Sequence, residues 1–344
     1  MPNDILTRAI DALASGHDLT QGQASAVLAE IMAGEASETQ IAAFLIALRT
    51  KGETVEELAG LAATMRAMAT AVVPCARADL VDTAGTGGGR PTFNVSTTAA
   101  LIAAGAGCAL AKHGNRSATS LSGSADLLEA LGVRIDLTPE AIARCIEEAG
   151  FGFMFAPAHH GATRFVIPVR RDLAVRTIFN FLGPLTNPAG ASRQVIGVSD
   201  PAFLHTIAGA LARLGADKAL VVSSADGLDE MSTAGTTTVV EVDGPEIHSY
   251  ELAPEDVGLP RSTFEAVAGG TPQHNAEVTR RIFAGEDGPA RDLAALNAGA
   301  AIYVAGRADS VERGVRAAEQ ALDSGAAAEA LDTLVALTQQ LAPS

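Results

Sequence analysis

The chain has 344 residues, 48% of them hydrophobic, and a net charge of −16 at pH 7. This size predicts one large domain or two smaller ones with a sizeable core. The acidic balance argues against nucleic-acid binding, and the absence of about eighteen consecutive apolar residues argues against a membrane span. No charged-then-apolar start resembles a signal peptide, and Cys75, Cys108 and Cys145 are widely spaced, so we expect a cytoplasmic protein with buried free thiols.

The first part of the chain has the pattern of helices only. A Ser or Thr is followed three residues later by Gln or Glu at Thr20, Ser37 and Thr54, which is typical of a helix N-terminus. Glycines stand where these helices should end, and apolar residues recur at spacings of three and four. We therefore predict a small helical domain over residues 1–73, with a hinge beginning at Pro74.

From Asp79 onward, short apolar runs alternate with amphipathic stretches. This alternation predicts a large α/β domain with a mostly parallel central sheet, spanning residues 74–164 and 191–344. Residues 156–161 are predicted as a loop, and Val166 to Phe181 as one helix that the run 182–188 ends. We expect this inserted segment, about 165–190, to pack on the N-terminal helices.

The run after Asp82 is the richest in chemistry. It reads Gly85-Thr86-Gly87-Gly88-Gly89-Arg90-Pro91-Thr92 and leads into a helix predicted to start near Val95 or Ser96. Glycines expose main-chain amides, and consecutive N–H groups at a helix N-terminus attract anions. With Lys112 and several hydroxyl groups nearby, the pattern favours a multiply phosphorylated ligand. It fits neither a Walker A loop nor a dinucleotide fingerprint, and an ordinary glycine-rich turn is the alternative.

Asp229 and Glu230 are adjacent carboxylates in a predicted loop after a strand. Two hard oxygen ligands with room for water and substrate phosphates suit Mg²⁺, and the hydroxyl of Ser96 is a further candidate ligand. The alternative is a solvated acidic turn, which would be favoured in a chain without a phosphate loop.

Arginine is the other candidate for substrate binding. A guanidinium group suits a planar carboxylate, so Arg170 is a candidate to hold an acidic substrate. The alternative, a position on a surface helix face, should hold for at least one of Arg170 and Arg171. The adjacent His159 and His160 lack the spacing of zinc ligands, and no serine, histidine and acid match as a triad. Nucleophilic catalysis therefore has no visible carrier.

A set of motifs resembles the anthranilate phosphoribosyltransferase family, in order and through nearly the whole chain, most weakly after about Glu255. The motifs are Gly85-Thr86-Gly87-Gly88, Thr92-Phe93-Asn94-Val95-Ser96-Thr97, Lys112-His113-Gly114-Asn115-Arg116, Ser122-Gly123-Ser124-Ala125-Asp126, Phe155-Ala156-Pro157, Val169-Arg170-Arg171, Thr177-Ile178-Phe179-Asn180-Phe181-Leu182-Gly183-Pro184-Leu185-Thr186-Asn187-Pro188 and Gly227-Leu228-Asp229-Glu230.

The resemblance implies a fold like that of the pyrimidine nucleoside phosphorylases, with a small helical and a large α/β domain, and a homodimer joined through the helical domain. It implies transfer of phosphoribose from 5-phosphoribosyl 1-diphosphate to the amine of anthranilate, with release of diphosphate, in tryptophan biosynthesis. Neither nucleic acid nor membrane is an implied partner.

The same resemblance implies roles for individual residues. The phosphoribosyl diphosphate would be held by Gly85, Gly88, Gly89, Thr92, Asn94, Val95, Ser96, Thr97, Lys112, His113, Gly114, Asn115, Arg116, Ser117, Ala118, Thr119, Ser120 and Ser124. Anthranilate would contact Gly85, Asn115, Pro157, His160, Arg170 and Gly183. Magnesium would bind Ser96, Asp229 and Glu230, and the catalytic residues would be Lys112, Asn115 and Arg170.

The glycine loop departs from the family pattern. The family has an Asp after Gly-Thr-Gly-Gly, and here the loop is one residue shorter, so the acid is either deleted or replaced by Gly89. We expect the reaction of a protein with this loop to need a lower magnesium concentration than the usual family loop does, or to tolerate a higher one. Alternatives to the implied function are a nucleoside phosphorylase of the same fold, a transferase with another aromatic acceptor, and a binding protein that has lost turnover.

Overall fold

The structure is a computed structural model that describes residues 2–74, 79–117 and 121–342. Cys75 and three residues expected at the phosphate site, Ala118, Thr119 and Ser120, lie outside this part of the chain. Within it, Cys108 and Cys145 are buried and form no disulfide, as predicted. None of the helices in these ranges is long and apolar enough to cross a membrane.

The chain begins with helices whose ends follow the sequence signals. They are α1 (Asp4–Ala14), α2 (Gln21–Ala33), α3 (Glu38–Lys51) and α4 (Val55–Ala67). Thr20 and Thr54 form complete capping boxes at α2 and α4. At α3 the box is half complete, because Ser37 caps the amide of Gln40 while the Gln40 side chain binds the main chain of Asn3.

One seven-stranded sheet organises the rest of the described chain. Its strands are β1 (Leu80–Gly85), β2 (Ala109–Gly114), β3 (Phe151–Phe155), β4 (Arg193–Gly197), β5 (Lys218–Ser224), β6 (Thr237–Asp243) and β7 (Glu246–Leu252). The spatial order is β3-β2-β1-β4-β5-β6-β7, with β1 to β5 parallel and the predicted β6–β7 hairpin antiparallel. The predicted fold class is confirmed. The direction of winding reverses between β1 and β4, and ligands bind at the carboxyl ends of strands at such a switch point.

Helices cover both faces of this sheet. They are α5 (Val95–Gly105), α6 (Ser124–Leu131), α7 (Pro139–Ala149), α8 (Ala156–His159), α9 (Ile167–Leu173), α10 (Phe179–Leu185), α11 (Leu204–Arg213), α12 (Pro272–Phe283), α13 (Pro289–Val304), α14 (Val311–Asp323) and α15 (Ala326–Leu341). Helices α5, α13, α14 and α15 share a core with Val81 and Leu220 of the sheet. Helix α11 and the N-terminal helices share another core with Ile196 and Val221.

The inserted segment before β4 corrects the prediction of one helix over 166–181. It forms two short helices, α9 and α10, because Ala174 adopts φ of 51°, in the left-handed region, and ends α9. The prediction that 182–188 lies beyond the helix is also wrong, since α10 runs on to Leu185 with Pro184 inside it. Residues 156–159 form the short helix α8 instead of a loop, with Pro157 in the first turn, where its missing N–H is not needed.

The inserted segment packs against the N-terminal helices, as expected. Val169 of α9 and Phe179 of α10 belong to the same buried core as Leu45 of α3 and Leu58 of α4. The segment thus brings residues from the middle of the chain into the helical region beside the sheet.

Candidate active site

The glycine loop begins where β1 ends and is anchored to the neighbouring strand. The Thr86 amide donates to the carbonyl of Gly197, the last residue of β4, over 2.8 Å. Gly87 and Gly88 have φ of 69° and 85°, a conformation that favours glycine. The loop therefore lies at the switch point of the sheet.

Asp229 reaches this loop from the end of β5. Its Oδ2 atom accepts a hydrogen bond from the N–H of Gly87 at 3.0 Å, across 142 residues of sequence. A Cβ atom at Gly85 would lie 2.9 Å from Asp229 Oδ2, and one at Gly89 would lie 2.4 Å from Asp229 Oδ1. The glycines thus let the acidic residue and the loop approach each other closely.

A further glycine makes this approach possible and was missed in the sequence. A Cβ atom at Gly197 would lie 1.5 Å from the carbonyl oxygen of Asp229, so the main chain of the acidic loop crosses directly over the end of β4. The available signal was a glycine inside an apolar strand pattern, which often marks close approach of another backbone.

Asp229, Glu230 and Ser96 line one small cavity, together with Thr83 and Asn297. Burial raises the pKa of the Asp229 carboxyl, and burial together with the adjacent Asp229 raises that of Glu230 well above its ordinary value. Carboxylates held this close favour a cation beside them. The described ranges contain no group of three or more His, Cys, Asp or Glu that could hold a metal. The two carboxylates and the Ser96 hydroxyl are oxygen donors of the kind that suit an ion such as Mg²⁺, which takes its other ligands from water and phosphate.

Lys112 is buried beneath the same site, with 1% of its surface exposed. Its ammonium group donates to the carbonyl oxygen of Thr83 and, at 3.2 Å, to the Thr83 hydroxyl. Burial lowers the pKa of Lys112 to about 8, and the negative charges of Asp82 and Glu230 oppose that shift. Lys112 is thus a buried amino group held by Thr83, and the negative charges of Asp82 and Glu230 favour its protonated form.

The predicted residues at the start of α5 leave polar groups available. Asn94 precedes the helix with φ of 64°, and no side chain caps the first turn. The Asn94 side chain is held in place by Ser122, at 2.7 Å, and by Asn275, at 2.8 Å. The hydroxyl of Thr97 is buried without a hydrogen-bond partner among the described residues. An uncapped helix start and an unpaired hydroxyl suit an anionic ligand.

The loop after β2 carries the remaining described donor candidates. Asn115 and Arg116 are exposed, and Ser124 opens α6. The Arg116 guanidinium already lies 2.8 Å from Asp126 and 2.5 Å from Glu129. A phosphate at Arg116 would therefore compete with these two carboxylates.

Two buried histidines meet on the other side of Lys112. The rings of His113 and His160 touch edge to face, with centroids 5.1 Å apart, and His113 Nδ1 lies 3.1 Å from the carbonyl of Gly183. Burial lowers the pKa of His113 to about 3 and that of His160 to about 4, so both rings are neutral at pH 7. The Nε2 atoms of both rings have no hydrogen-bond partner within the described part of the chain. A Cβ atom at Gly183 would meet nothing within 4 Å, so space remains beside these rings.

The two neighbouring arginines differ, as predicted. Arg170 lies with its guanidinium carbon 5.6 Å from the ring centre of Phe179, and burial lowers its pKa. It makes no ion pair among the described residues, so it is available to an incoming carboxylate. Arg171 is exposed and pairs only with the adjacent Asp172, at 3.4 Å, in the described chain.

Comparisons with known proteins agree with this fold. The glycosyl transferase family, a/b domain, matches residues 77–328, and the glycosyl transferase family, helical bundle domain, matches residues 7–69. The helical bundle, the mostly parallel sheet and the glycine loop at its switch point are thus those of a glycosyl transferase.

Individual relatives narrow the class. The chain is 52% identical over 340 residues to the anthranilate phosphoribosyltransferase of Rubrobacter xylanophilus, covering 98% of this chain and 99% of that one. The crystal structure of the enzyme of that name from Thermus thermophilus superposes with a TM-score of 0.91 at 47% identity, over 96% of this chain and 99% of that one. The enzyme from Saccharomyces cerevisiae, in complex with PRPP and Mg, gives a TM-score of 0.88 at 26% identity, over 98% of both chains. The chain belongs to the anthranilate phosphoribosyltransferase family.

Proposed function

We propose that this chain transfers the phosphoribosyl group of 5-phosphoribosyl 1-diphosphate to the amine of anthranilate, in tryptophan biosynthesis. The amine nitrogen forms a bond to carbon 1 of the ribose, the bond from that carbon to diphosphate breaks, and the nitrogen loses a proton. The products are N-(5-phosphoribosyl)anthranilate and diphosphate.

One observation carries the proposal. The acidic residue Asp229 contacts the glycine loop through the amide of Gly87, at the carboxyl ends of β1, β4 and β5. An anionic ligand on the loop amides would therefore lie beside the carboxylates of Asp229 and Glu230. Because these negative charges repel one another, binding is favourable only with a cation between the ligand and the carboxylates. A diphosphate bound with a divalent ion meets both requirements.

We assign Ser96, Asp229 and Glu230 to Mg²⁺. The shared cavity and the oxygen donor set support the assignment, and the related yeast enzyme has been solved with PRPP and Mg. The ion would neutralise the charge of the departing diphosphate. The other donor contacts are assigned to the glycine loop, the start of α5 and the loop after β2, as the sequence predicts.

Lys112 is assigned an electrostatic role. Its hydrogen bonds to Thr83 and the negative charges of Asp82 and Glu230 favour a positive charge between β1 and β2 before the substrate binds. Charges that are already fixed stabilise a developing negative charge without reorganising during the reaction.

The acceptor is assigned to the space between the inserted segment and the end of β2. Arg170 would bind the carboxylate of anthranilate, Asn115 would orient its amine, and Pro157, His160 and Gly183 would line its path. A yeast relative solved with 4-fluoroanthranilate supports a ligand of this chemistry. An aromatic amine is a neutral nucleophile at pH 7, so positioning is sufficient and no strong base is required.

A cytoplasmic homodimer completes the proposal. The exposed large apolar side chains of the N-terminal helices and the inserted segment include Ile46 at 37%, Ile167 at 55% and Val175 at 45%. Exposed apolar groups in one region suit a subunit contact. Sedimentation equilibrium should give twice the monomer mass, and a monomer at micromolar concentration would contradict the dimer.

Loss of anthranilate fluorescence tests the function directly. The purified chain should consume anthranilate only when 5-phosphoribosyl 1-diphosphate and Mg²⁺ are both present, with one diphosphate released per anthranilate. Phosphorolysis of a nucleoside, without anthranilate consumption, would favour the phosphorylase alternative. Calorimetric binding of the donor without any diphosphate release would favour a binding protein.

A further inference from the structure

Arg176 contacts the glycine loop proposed to bind the sugar donor, although the inserted segment that carries it also supplies Arg170, which is proposed to bind the acceptor. It stands between α9 and α10, just after the left-handed turn at Ala174. The sequence marks it only as one of several cations in an acidic chain, and neither the motifs nor the proposed substrate contacts include it.

The guanidinium of Arg176 contacts the glycine loop directly. Its Nη2 atom donates to the carbonyl of Gly87 at 2.9 Å and to the hydroxyl of Ser199 at 2.6 Å. The Ser199 hydroxyl lies a further 3.0 Å from the same Gly87 carbonyl. A Cβ atom at Gly88 would lie 2.4 Å from Nη2, so the arginine packs against the bare main chain.

These contacts hold Gly87 from both ends. Its N–H donates to Asp229, and its carbonyl accepts from Arg176 and Ser199. Gly87 has a positive φ of 69°, and fixed partners on both sides keep it in that conformation.

Arg176 is tied to the helical region through its main chain. The Arg49 side chain of α3 donates to the carbonyl oxygen of Arg176 at 2.7 Å. A single residue therefore links the N-terminal helices to the loop at the end of β1.

We propose that Arg176 is a positioning residue of the donor site, which holds the bent glycine loop against Asp229 through the carbonyl oxygen of Gly87. This inference rests on the proposed function. It predicts that two arginines of one segment affect different substrates, Arg170 the acceptor and Arg176 the donor.

Steady-state kinetics of Arg176→Ala test the inference. We expect the Michaelis constants for 5-phosphoribosyl 1-diphosphate and for Mg²⁺ to rise about ten- to hundredfold, the range for losing hydrogen bonds from a charged donor. The constant for anthranilate should change less than about threefold. Arg171→Ala, an exposed arginine of the same helix region, is the matched control and should leave all three constants unchanged.

Arg176→Lys separates positioning from folding. Because both hydrogen bonds come from the single Nη2 atom, one ammonium group can replace them, and the lysine variant should recover most of the donor affinity. Thermal unfolding of each variant shows whether it is folded, and calorimetric titration with the donor and Mg²⁺ measures binding without turnover.

An Arg176→Ala variant that is folded and keeps its donor and magnesium constants would overturn the inference and leave the proposed function intact. A rise in the anthranilate constant alone would do the same, because it would make Arg176 an acceptor residue. If the unmodified chain binds the donor but never consumes anthranilate, the proposed function fails, and the calorimetric comparison still decides the role of Arg176.

Discussion

The donor side and the acceptor side of the site are built by different means. The donor side is mostly main chain: the glycine loop, the uncapped start of α5 and the backbone of Asp229 that crosses Gly197. The acceptor side is mostly side chains, with His160 from the turn after α8 and Arg170 from α9. Space remains beside Gly183, whereas a methyl group has no room at Gly89.

This difference follows from what each substrate requires. A diphosphate is highly charged, so its stabilisation depends on dipoles and charges that are fixed before it binds. Anthranilate is a small planar acid, for which one cation and an apolar wall are sufficient. A change on the donor side should therefore lower the turnover rate or raise the magnesium concentration that the reaction needs. A change on the acceptor side should instead raise only the Michaelis constant for anthranilate.

Removing the negative charge of the acidic pair should give the largest effect. Asp229→Asn combined with Glu230→Gln keeps the shapes of both side chains and removes the charges expected to bind Mg²⁺. We expect turnover to fall by roughly a thousandfold, the order found when groups that stabilise transition-state charge are lost. Glu251→Gln, an exposed acid of β7, is the control. Turnover within tenfold of the unmodified chain would refute the role of the pair.

Truncating the acceptor arginine should give a smaller and more selective effect. Arg170→Ala removes a half-buried guanidinium that has no ion-pair partner among the described residues. We expect the Michaelis constant for anthranilate to rise about ten- to hundredfold, and that for the sugar donor to stay the same. An unchanged anthranilate constant, measured beside Arg171→Ala, would contradict the assignment.

Local patterns in the sequence predict much of the donor side and the starts of two N-terminal helices. The glycine loop after β1, the helix start at Val95 and the capping boxes at Thr20 and Thr54 each depend on a few neighbouring residues. Such signals act over one turn of chain, and the structure contains all of them. The pairing of the loop with Asp229 was expected from the chemistry of phosphate and carboxylate groups.

Contacts that depend on strand order could not be predicted from residue patterns. Gly197 lies under Asp229 only because β4 sits between β1 and β5, and no local pattern encodes that order. The meeting of His113 with His160 depends in the same way on the pairing of β2 with β3. The break at Ala174 was hidden because the alanine carries no turn signal, although it adopts a left-handed conformation that costs a non-glycine residue energy.

Gly89→Ala tests how closely the donor side is packed. Gly89 is not in the left-handed region, so the added Cβ atom acts through space alone and would lie 2.4 Å from Asp229 Oδ1. We expect the magnesium concentration for half-maximal rate to rise about tenfold, because Asp229 must move. Gly87→Ala is the complementary variant, since it has space but a φ of 69°. An unchanged magnesium profile for Gly89→Ala would show that Asp229 is free to shift.

Inserting Asp after Gly88 addresses the departure from the family loop. The close contact between Gly89 and Asp229 leaves no room for a further acid at that position, so the inserted residue has to reshape the loop. The optimum magnesium concentration should therefore change in the insertion variant. Superimposable magnesium profiles would remove the hypothesis that the shorter loop alters magnesium use.

The smallest expected effect concerns the buried histidine His113 and the pH dependence of stability. Burial holds the pKa of His113 at about 3, whereas a histidine in the unfolded chain titrates near about 6.5. Above that value both states are neutral and the ring has no pH-dependent effect. As pH falls below it, the unfolded chain binds a proton that the folded protein does not, so stability decreases down to the folded pKa. Asp82, whose pKa burial raises to about 6, acts in the opposite direction.

Urea unfolding of His113→Gln isolates this contribution. Between pH 7 and pH 5 the variant should lose about 2 kcal/mol less of its unfolding free energy than the unmodified chain. The reason is that the variant lacks the histidine that takes up a proton only in the unfolded chain. His17→Gln, at an exposed position, should keep the original pH dependence. Equal losses in the unmodified chain and in His113→Gln would mean that His113 takes up its proton in the folded state as readily as in the unfolded chain.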